Sequence, residues 1–172
     1  MESNFNECLG FVLAREGGWS DHPKDPGGAT MKGVTLNTYS AWKKKPMTKD
    51  QLRKITDKEL HDIYHSLYWL PAKCDQLPTG LDLLVFDMSV NSGPVAAIKN
   101  LQRTLGLVVD GKFGPATRKA AEIHGKYEDT LIEYAARRII FWTSLKTWAT
   151  FGLGWATRGI EGAVEAIRMG KK

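Results

Sequence analysis

A glutamate at the end of an apolar helical pattern is the first residue of this 172-residue chain that could do chemistry. Glu16 follows a segment from about Asn4 to Arg15 with helical spacing. It lies eleven positions after Phe5, so both residues are expected on one helix face. Apolar surroundings and the carboxyl end of a helix both favour a protonated carboxyl group, the form that a general acid needs. The alternative is an ion pair with Arg15 or a loop lysine at a frayed helix end.

A second carboxyl group and a hydroxyl follow in the next segment. Asp25 and Thr30 come nine and fourteen residues after Glu16, in a polar stretch over 18–34 that is rich in Gly, Pro and Asp. If this loop folds back over the helix end, it brings both residues opposite Glu16. A protonated carboxyl facing a carboxylate or a positioned water is typical of glycosidases. Each residue also has a structural interpretation, with Asp25 capping the turn at Pro26 and Thr30 serving as a turn hydroxyl.

The elements that must position these residues are mostly helices. Capping boxes at Thr48-x-x-Gln51 and Thr56-x-x-Glu59 predict two helix starts. The apolar segment from Leu81 to Val90 predicts a buried helix rather than a strand, because two aspartates interrupt it. Further helices are expected from Pro94, from Pro115, over 126–146 and over 154–169. The pattern predicts a mainly α fold with a small loop or β-hairpin region after the first helix.

Gly93-Pro94 is the best candidate boundary, so we predict one region over 1–93 and a second, helical region over 94–172 packed on it. The chain has no Ser/Gly/Pro-rich spacer that would separate them.

Composition and charge limit the kinds of function and partner that the protein can have. The formal net charge is +5 with a pI near 9.2, which favours polyanionic partners such as nucleic acid, anionic membranes or bacterial cell wall. No recognition motif supports a nucleic-acid partner. Two cysteines without a CxxC or Cys/His cluster give no reason to expect a metal or cofactor. No signal-peptide pattern and no long apolar run are present, so we expect a cytoplasmic protein without stable membrane insertion. We also expect the protein to be a monomer.

Several motifs, in order, resemble a known family. The N-terminal signature of glycoside hydrolase family 108 is similar to Glu16-Gly17-Gly18-Trp19, Asp25-Pro26-Gly27-Gly28-x-Thr30 and Lys32-Gly33-Val34-Thr35. The close of that family's catalytic region resembles Phe86-Asp87-Met88-Ser89-Val90-Asn91-Ser92-Gly93. Its associated peptidoglycan-binding domain resembles Leu101-Gln102-x-x-Leu105-Gly106, Asp110-Gly111-x-Phe113-Gly114-Pro115-x-Thr117 and Trp148-x-x-Phe151-Gly152-x-Gly154-Trp155-x-x-Arg158.

The resemblance implies a lysozyme-like helical fold with Glu16 as the catalytic acid. Asp25 fits the broader phage-lysozyme pattern, whereas Thr30 comes five residues after it instead of six. Trp19 stands where the family usually has Tyr, and its flat ring suits stacking on a sugar. Asn91 is a candidate for hydrogen bonding to substrate, with capping of a helix end as the alternative.

The resemblance further implies an endolysin that hydrolyses the β-1,4 bond between N-acetylmuramic acid and N-acetylglucosamine. Its partner would be the glycan strands of peptidoglycan, bound in part by the region 94–172. It would wait in the host cytoplasm and act on the periplasmic wall at lysis, without cofactor or metal. The alternative is a non-catalytic peptidoglycan-binding or secretion-assisting protein on the same fold.

Overall fold

A computed structural model of the chain describes residues 2–21 and 28–171. It forms two compact units, one over 9–66 and one over 1–8 with 67–172. These bounds are structural and differ from the regions 1–93 and 94–172, whose separate functional roles stay a prediction. The predicted mainly α, lysozyme-like fold with a small β region after the first helix is confirmed.

The unit over 9–66 combines short helices with a small antiparallel sheet. Helix α1 covers Phe5–Leu13 and leads into the strands β1 Trp19–Ser20, β2 Thr30–Met31 and β3 Val34–Thr35, in the order β1-β2-β3. The polar segment predicted as a loop or small hairpin therefore contains a hairpin, β2–β3, with β1 on its edge. Three helices follow: α2 Leu36–Lys43, α3 Lys49–Arg53 and α4 Asp57–Tyr64.

Local sequence signals fix the helix starts in this unit. Both predicted capping boxes are formed, at Thr48 for α3 and at Thr56 for α4. Thr35 caps α2 by accepting from Thr38 N at 3.1 Å. After Tyr64 the chain continues as a π-helical turn over His65–Trp69 instead of a regular α-helix. The wider turn changes the direction in which the following side chains point.

The other unit is built around one buried helix, α5, Leu81–Ser92, as the sequence predicts. The helices around it are α6 Pro94–Thr104, α7 Pro115–His124, α8 Glu128–Thr143 and α9 Trp148–Gly170. Helices α6, α8 and α9 all contact α5. Because α5 is enclosed by these neighbours, its residues 81–89 are all buried, which explains its nearly continuous apolar sequence.

The two aspartates of α5 are held by buried polar contacts. Asp82 accepts hydrogen bonds from Leu83 N at 2.9 Å and from Asn4 Nδ2 at 2.8 Å. Asp87 accepts from Arg138 Nη1 of α8 and from Arg158 Nη2 of α9, each at 2.6 Å. Burial alone would raise the pKa of Asp87, but the two guanidinium groups outweigh it and lower that pKa. The Asp87 carboxylate thus joins three helices.

No helix in the described part of the chain has the length and apolarity that crossing a membrane requires.

Candidate active site

The Glu16 carboxyl group lies against the turn that joins β2 to β3. Glu16 N donates to Val12 O at 3.2 Å, which holds the residue close to the end of the first helix. A Cβ on Gly33 would lie 2.9 Å from Glu16 Oε2 and 3.2 Å from Glu16 Cδ. The absence of a side chain at Gly33 therefore lets the carboxyl group approach the turn backbone closely.

The turn itself has the geometry of a tight hairpin. Met31 pairs with Val34, so two residues, Lys32 and Gly33, connect the strands. Their φ values of 47° and 77° are both positive, as a type I′ turn requires. Lys32 N also donates to Gly18 O at 3.4 Å, which ties the turn to the chain just after Glu16.

Tyr64, at the end of α4, lies beside the same turn. Its side chain is buried, and its hydroxyl donates to Lys32 O at 2.9 Å. The position of a Cβ on Gly33 would be less than 3.0 Å from Tyr64 Oη as well as from Glu16 Oε2. Sequence reasoning did not assign Tyr64 to the site, because its place on an apolar helix face gives no sign that the hydroxyl reaches a turn 32 residues earlier.

Two other candidates lie on neighbouring strands of this sheet. Trp19, in β1, is half-buried, and the Arg53 guanidinium lies 4.2 Å from its ring centroid, so Arg53 covers one ring face. Thr30, in β2, uses its hydroxyl to donate to Gly28 O at 3.1 Å. This is the turn bond that its structural interpretation describes. Asp25 lies outside the described residues.

Charged side chains pair around the hairpin. Lys49 Nζ donates to both carboxylate oxygens of Asp21, at 2.9 and 3.0 Å, directly before the segment that contains Asp25. Lys32 Nζ lies 3.2 Å from Asp57 Oδ1, at the start of α4. Both pairs are largely exposed, so they orient the chain more than they stabilise it.

Glu59 is a strongly perturbed carboxylate among the described residues of the unit 9–66. It accepts from Tyr39 Oη at 3.1 Å and from Thr56 N at 2.9 Å, and it forms an ion pair with Lys43. Burial alone would raise the pKa of Glu59, but these bonds, above all the one to Lys43, lower it to about 2. A carboxylate with so low a pKa stays ionised and cannot act as a general acid. The role of Glu59 is structural, because its contacts with Tyr39 and Lys43 connect α4 to α2.

Asn91 belongs to the unit over 1–8 and 67–172. It is exposed near the end of α5, and its Nδ2 donates to Asp87 O at 2.8 Å, four residues earlier in the same helix. The amide nitrogen thus makes the helix-end contact proposed as its alternative role. Its role toward substrate stays a prediction.

Residues suited to a metal are not grouped in the part of the chain that the structure describes. Among residues 2–21 and 28–171, no three His, Cys, Asp or Glu side chains lie together in a way that could hold an ion.

Comparison with known proteins decides the family. The sequence profile described as Glycosyl hydrolase 108 matches residues 9–93. A solved structure, titled "Structure of Brucella abortus SagA", is similar at 34% sequence identity with a TM-score of 0.90, over 100% of this chain and 98% of that chain. The chain belongs to the glycosyl hydrolase 108 family. No curated protein matched the sequence.

The protein is therefore a glycoside hydrolase with the lysozyme-like fold of a cell-wall enzyme. Its substrate is a glycan. The family match includes the whole arrangement around the hairpin turn. It covers Glu16, Trp19, Thr30, Gly33 and Tyr64 there, and it also covers Asn91 in the other unit.

Proposed function

We propose that the protein is an N-acetylmuramidase, which hydrolyses the β-1,4 bond between N-acetylmuramic acid and N-acetylglucosamine in peptidoglycan. Glu16 is its general acid and protonates the leaving glycosidic oxygen. The observation that carries this proposal is the position of the Glu16 carboxyl, fixed between the end of α1, the Gly33 turn and Tyr64 inside the family-matched region. Rigid support of this kind is what a catalytic carboxyl needs.

The second catalytic group in this proposal is Asp25. Its carboxylate either stabilises the positive charge that develops on the sugar or activates the attacking water. Thr30 is the next candidate, although its hydroxyl already donates to Gly28 O. Trp19 stacks on a sugar with the ring face that Arg53 does not cover. Asn91 contributes a hydrogen bond to substrate.

Mass spectrometry of the fragments released from purified peptidoglycan tests the reaction. New reducing ends on N-acetylmuramic acid support a muramidase. Reducing ends on N-acetylglucosamine would identify a different glycosidase. Release of no fragments by folded protein that still binds peptidoglycan would favour the non-catalytic, wall-binding alternative.

The region 94–172 is proposed to add affinity for the wall, in an enzyme that acts on the periplasmic wall during lysis. The net charge of +5 supports attraction to an anionic polymer. Sedimentation of Glu16→Gln protein with insoluble peptidoglycan, at low and at high salt, tests this. Binding should weaken as salt rises, because exposed charges are screened, and salt-independent binding would contradict the charge argument.

A further inference from the structure

A groove between α6 and α8 has no part in the proposed reaction. It lies within the unit over 1–8 and 67–172 and has a volume of about 290 Å³. Its lining combines two arginines with two polar and two apolar residues: Asn100, Arg103, Arg137, Ile140, Phe141 and Ser144. Positive charge beside apolar surface in one concave site is typical of a site for an organic anion.

The floor of this groove is held by hydrogen bonds between the two helices. Asn100 of α6 is buried, and its Nδ2 donates to Tyr134 O of α8 at 3.0 Å. The Tyr134 hydroxyl, also buried, donates back to Ala97 O of α6 at 3.3 Å. Because these bonds fix α6 against α8, a ligand finds the groove already formed and does not have to order it.

The two arginines of the groove retain unused hydrogen-bond donors. Arg103 is exposed, and no carboxylate among residues 2–21 and 28–171 forms an ion pair with it. Arg137 gives only its Nε–H, which donates to Glu133 Oε1 at 2.6 Å. A guanidinium group has five N–H donors, so both Nη groups of Arg137 are left for a ligand. Two guanidinium charges against one carboxylate leave the groove positive.

The apolar part of the lining indicates what kind of anion fits. Ile140 is 67% exposed and Phe141 is half-buried, so both present apolar surface beside the arginines. A carboxylate attached to a small aliphatic group uses both features, whereas inorganic phosphate uses only the charge. In peptidoglycan the lactyl carboxyl of N-acetylmuramic acid is consumed in the amide bond to the peptide stem. The free carboxylates of the polymer therefore lie on the stems, next to small side chains such as that of D-alanine.

We propose that the groove between α6 and α8 binds the free carboxylate of a peptidoglycan peptide stem. The inference rests on the proposed peptidoglycan substrate. Arg103 and Arg137 donate to the carboxylate oxygens, and the methyl group next to the carboxylate packs on Ile140 and Phe141. The region 94–172 then recognises the peptide part of the wall, while the hydrolysed bond is in the glycan part.

Titration of the full-length protein with N-acetyl-D-alanyl-D-alanine, followed by NMR of the backbone amides, tests the proposal. A glycoside hydrolase does not cleave this peptide, so the wild-type protein serves directly. Amide signals around the groove should shift, and the same peptide with an amidated C-terminus should bind roughly tenfold more weakly. Arg103→Gln and Arg137→Gln should each weaken binding of the acid to a similar degree. Glu133→Gln should strengthen it, because it removes a carboxylate that competes for Arg137.

Arg118→Gln is the matched control for these variants. Its Nε donates to Glu122 Oε1 at 2.9 Å, the same kind of bond that Arg137 makes, but Arg118 lies on α7 and does not line the groove. The control removes one positive charge from the same unit. Its dissociation constant for the peptide should equal that of the wild type, and a loss as large as that of Arg137→Gln would mean that only overall charge matters.

Other results overturn the proposal. Equal affinity for the acid and the amidated peptide, unchanged binding in both groove variants, or no shifts even at millimolar peptide would each do so. Inorganic phosphate that shifts the same amides and displaces the peptide would make the groove a phosphate site instead.

The proposed function has a separate readout, so the two failures are distinguishable. Muramic acid reducing ends released by a protein that binds no peptide would overturn this inference alone. Peptide binding by a protein that releases N-acetylglucosamine reducing ends would keep the groove site and overturn the muramidase assignment.

Discussion

At the scale of single residues, substitutions of Thr30 and Asp25 are expected to have different effects, one on stability and the other on turnover. The Thr30 hydroxyl donates within its own turn, to Gly28 O, so Thr30→Val should lower the unfolding free energy by about 1 kcal/mol. The folded variant should cleave peptidoglycan at a rate near that of the wild type. Rates normalised to folded protein, together with denaturant unfolding curves, provide the measurement.

Asp25→Ala is expected to behave in the opposite way. In the proposed mechanism Asp25 faces the positive charge that develops on the sugar, so its removal should lower turnover of the folded enzyme by more than a lost turn contact explains. If Asp25→Ala is only less stable and Thr30→Val loses turnover, Thr30 is the second catalytic group.

At the same scale, the sequence predicts the identity of the acid but not its surroundings. The position of Glu16 follows from helical spacing and from the family motif. The hydrogen bond from Tyr64 Oη to Lys32 O in the neighbouring turn depends on how a hairpin turn and a helix end meet across 32 residues, and single-sequence periodicity carries no such information. The Lys32-Gly33 pair is the one local signal, since Gly readily takes the positive φ of a two-residue turn.

At the scale of elements, Glu59 joins the start of α4 to α2 and makes the unit 9–66 sensitive to acid. Its pKa is about 2 in the folded protein and near the ordinary value for glutamate in the unfolded chain. A lowered carboxyl pKa stabilises the folded state fully above the unfolded pKa, and this stabilisation disappears as pH falls toward the folded pKa. The stability difference between wild type and Glu59→Gln should therefore shrink between pH 6 and pH 3.

Urea unfolding at several pH values in this range checks the prediction. Asp57→Asn is a suitable control, because it removes a carboxylate from the same helix turn at an exposed position. A difference between wild type and Glu59→Gln that stays constant with pH would show that the charge of Glu59 contributes nothing.

Element boundaries show where sequence patterns succeed and where they fail. Capping boxes predict the starts of α3 and α4 because the cap is a local hydrogen bond between residues three apart. The amphipathic spacing predicts the last helix over 154–169, but α9 begins earlier, at Trp148. A Cβ on Gly152, inside this helix, would lie 2.7 Å from the Trp148 ring, so the ring leaves no space for a side chain there.

At the scale of the whole molecule, the unit over 1–8 and 67–172 depends on one buried charge cluster. Asp87 of α5 binds Arg138 of α8, which is 1% exposed, and Arg158 of α9, which is 13% exposed. Asp87→Asn keeps the shape but leaves buried guanidinium charge without its counter-ion. Breaking a buried pair in this way should lower the unfolding free energy by about 3–5 kcal/mol.

Thermal and denaturant unfolding of Asp87→Asn test this expectation. Glu133→Gln is the matched control, since it breaks the exposed pair with Arg137 on the same helix, α8, and should change stability much less. Equal effects of the two variants would mean that the Asp87 cluster does not hold α5, α8 and α9 together.

The rate at which purified peptidoglycan gains reducing ends, compared between wild type and Glu16→Gln, tests the central claim most directly. Glu7→Gln, which removes an exposed carboxylate from α1, the helix that precedes Glu16, is the control, and circular dichroism verifies that all three proteins are folded. Loss of the proton donor should reduce the rate of Glu16→Gln by about 10²–10⁴-fold while Glu7→Gln stays near wild type. A folded Glu16→Gln protein that cleaves within a few-fold of the wild-type rate would contradict the assignment of Glu16 as the general acid.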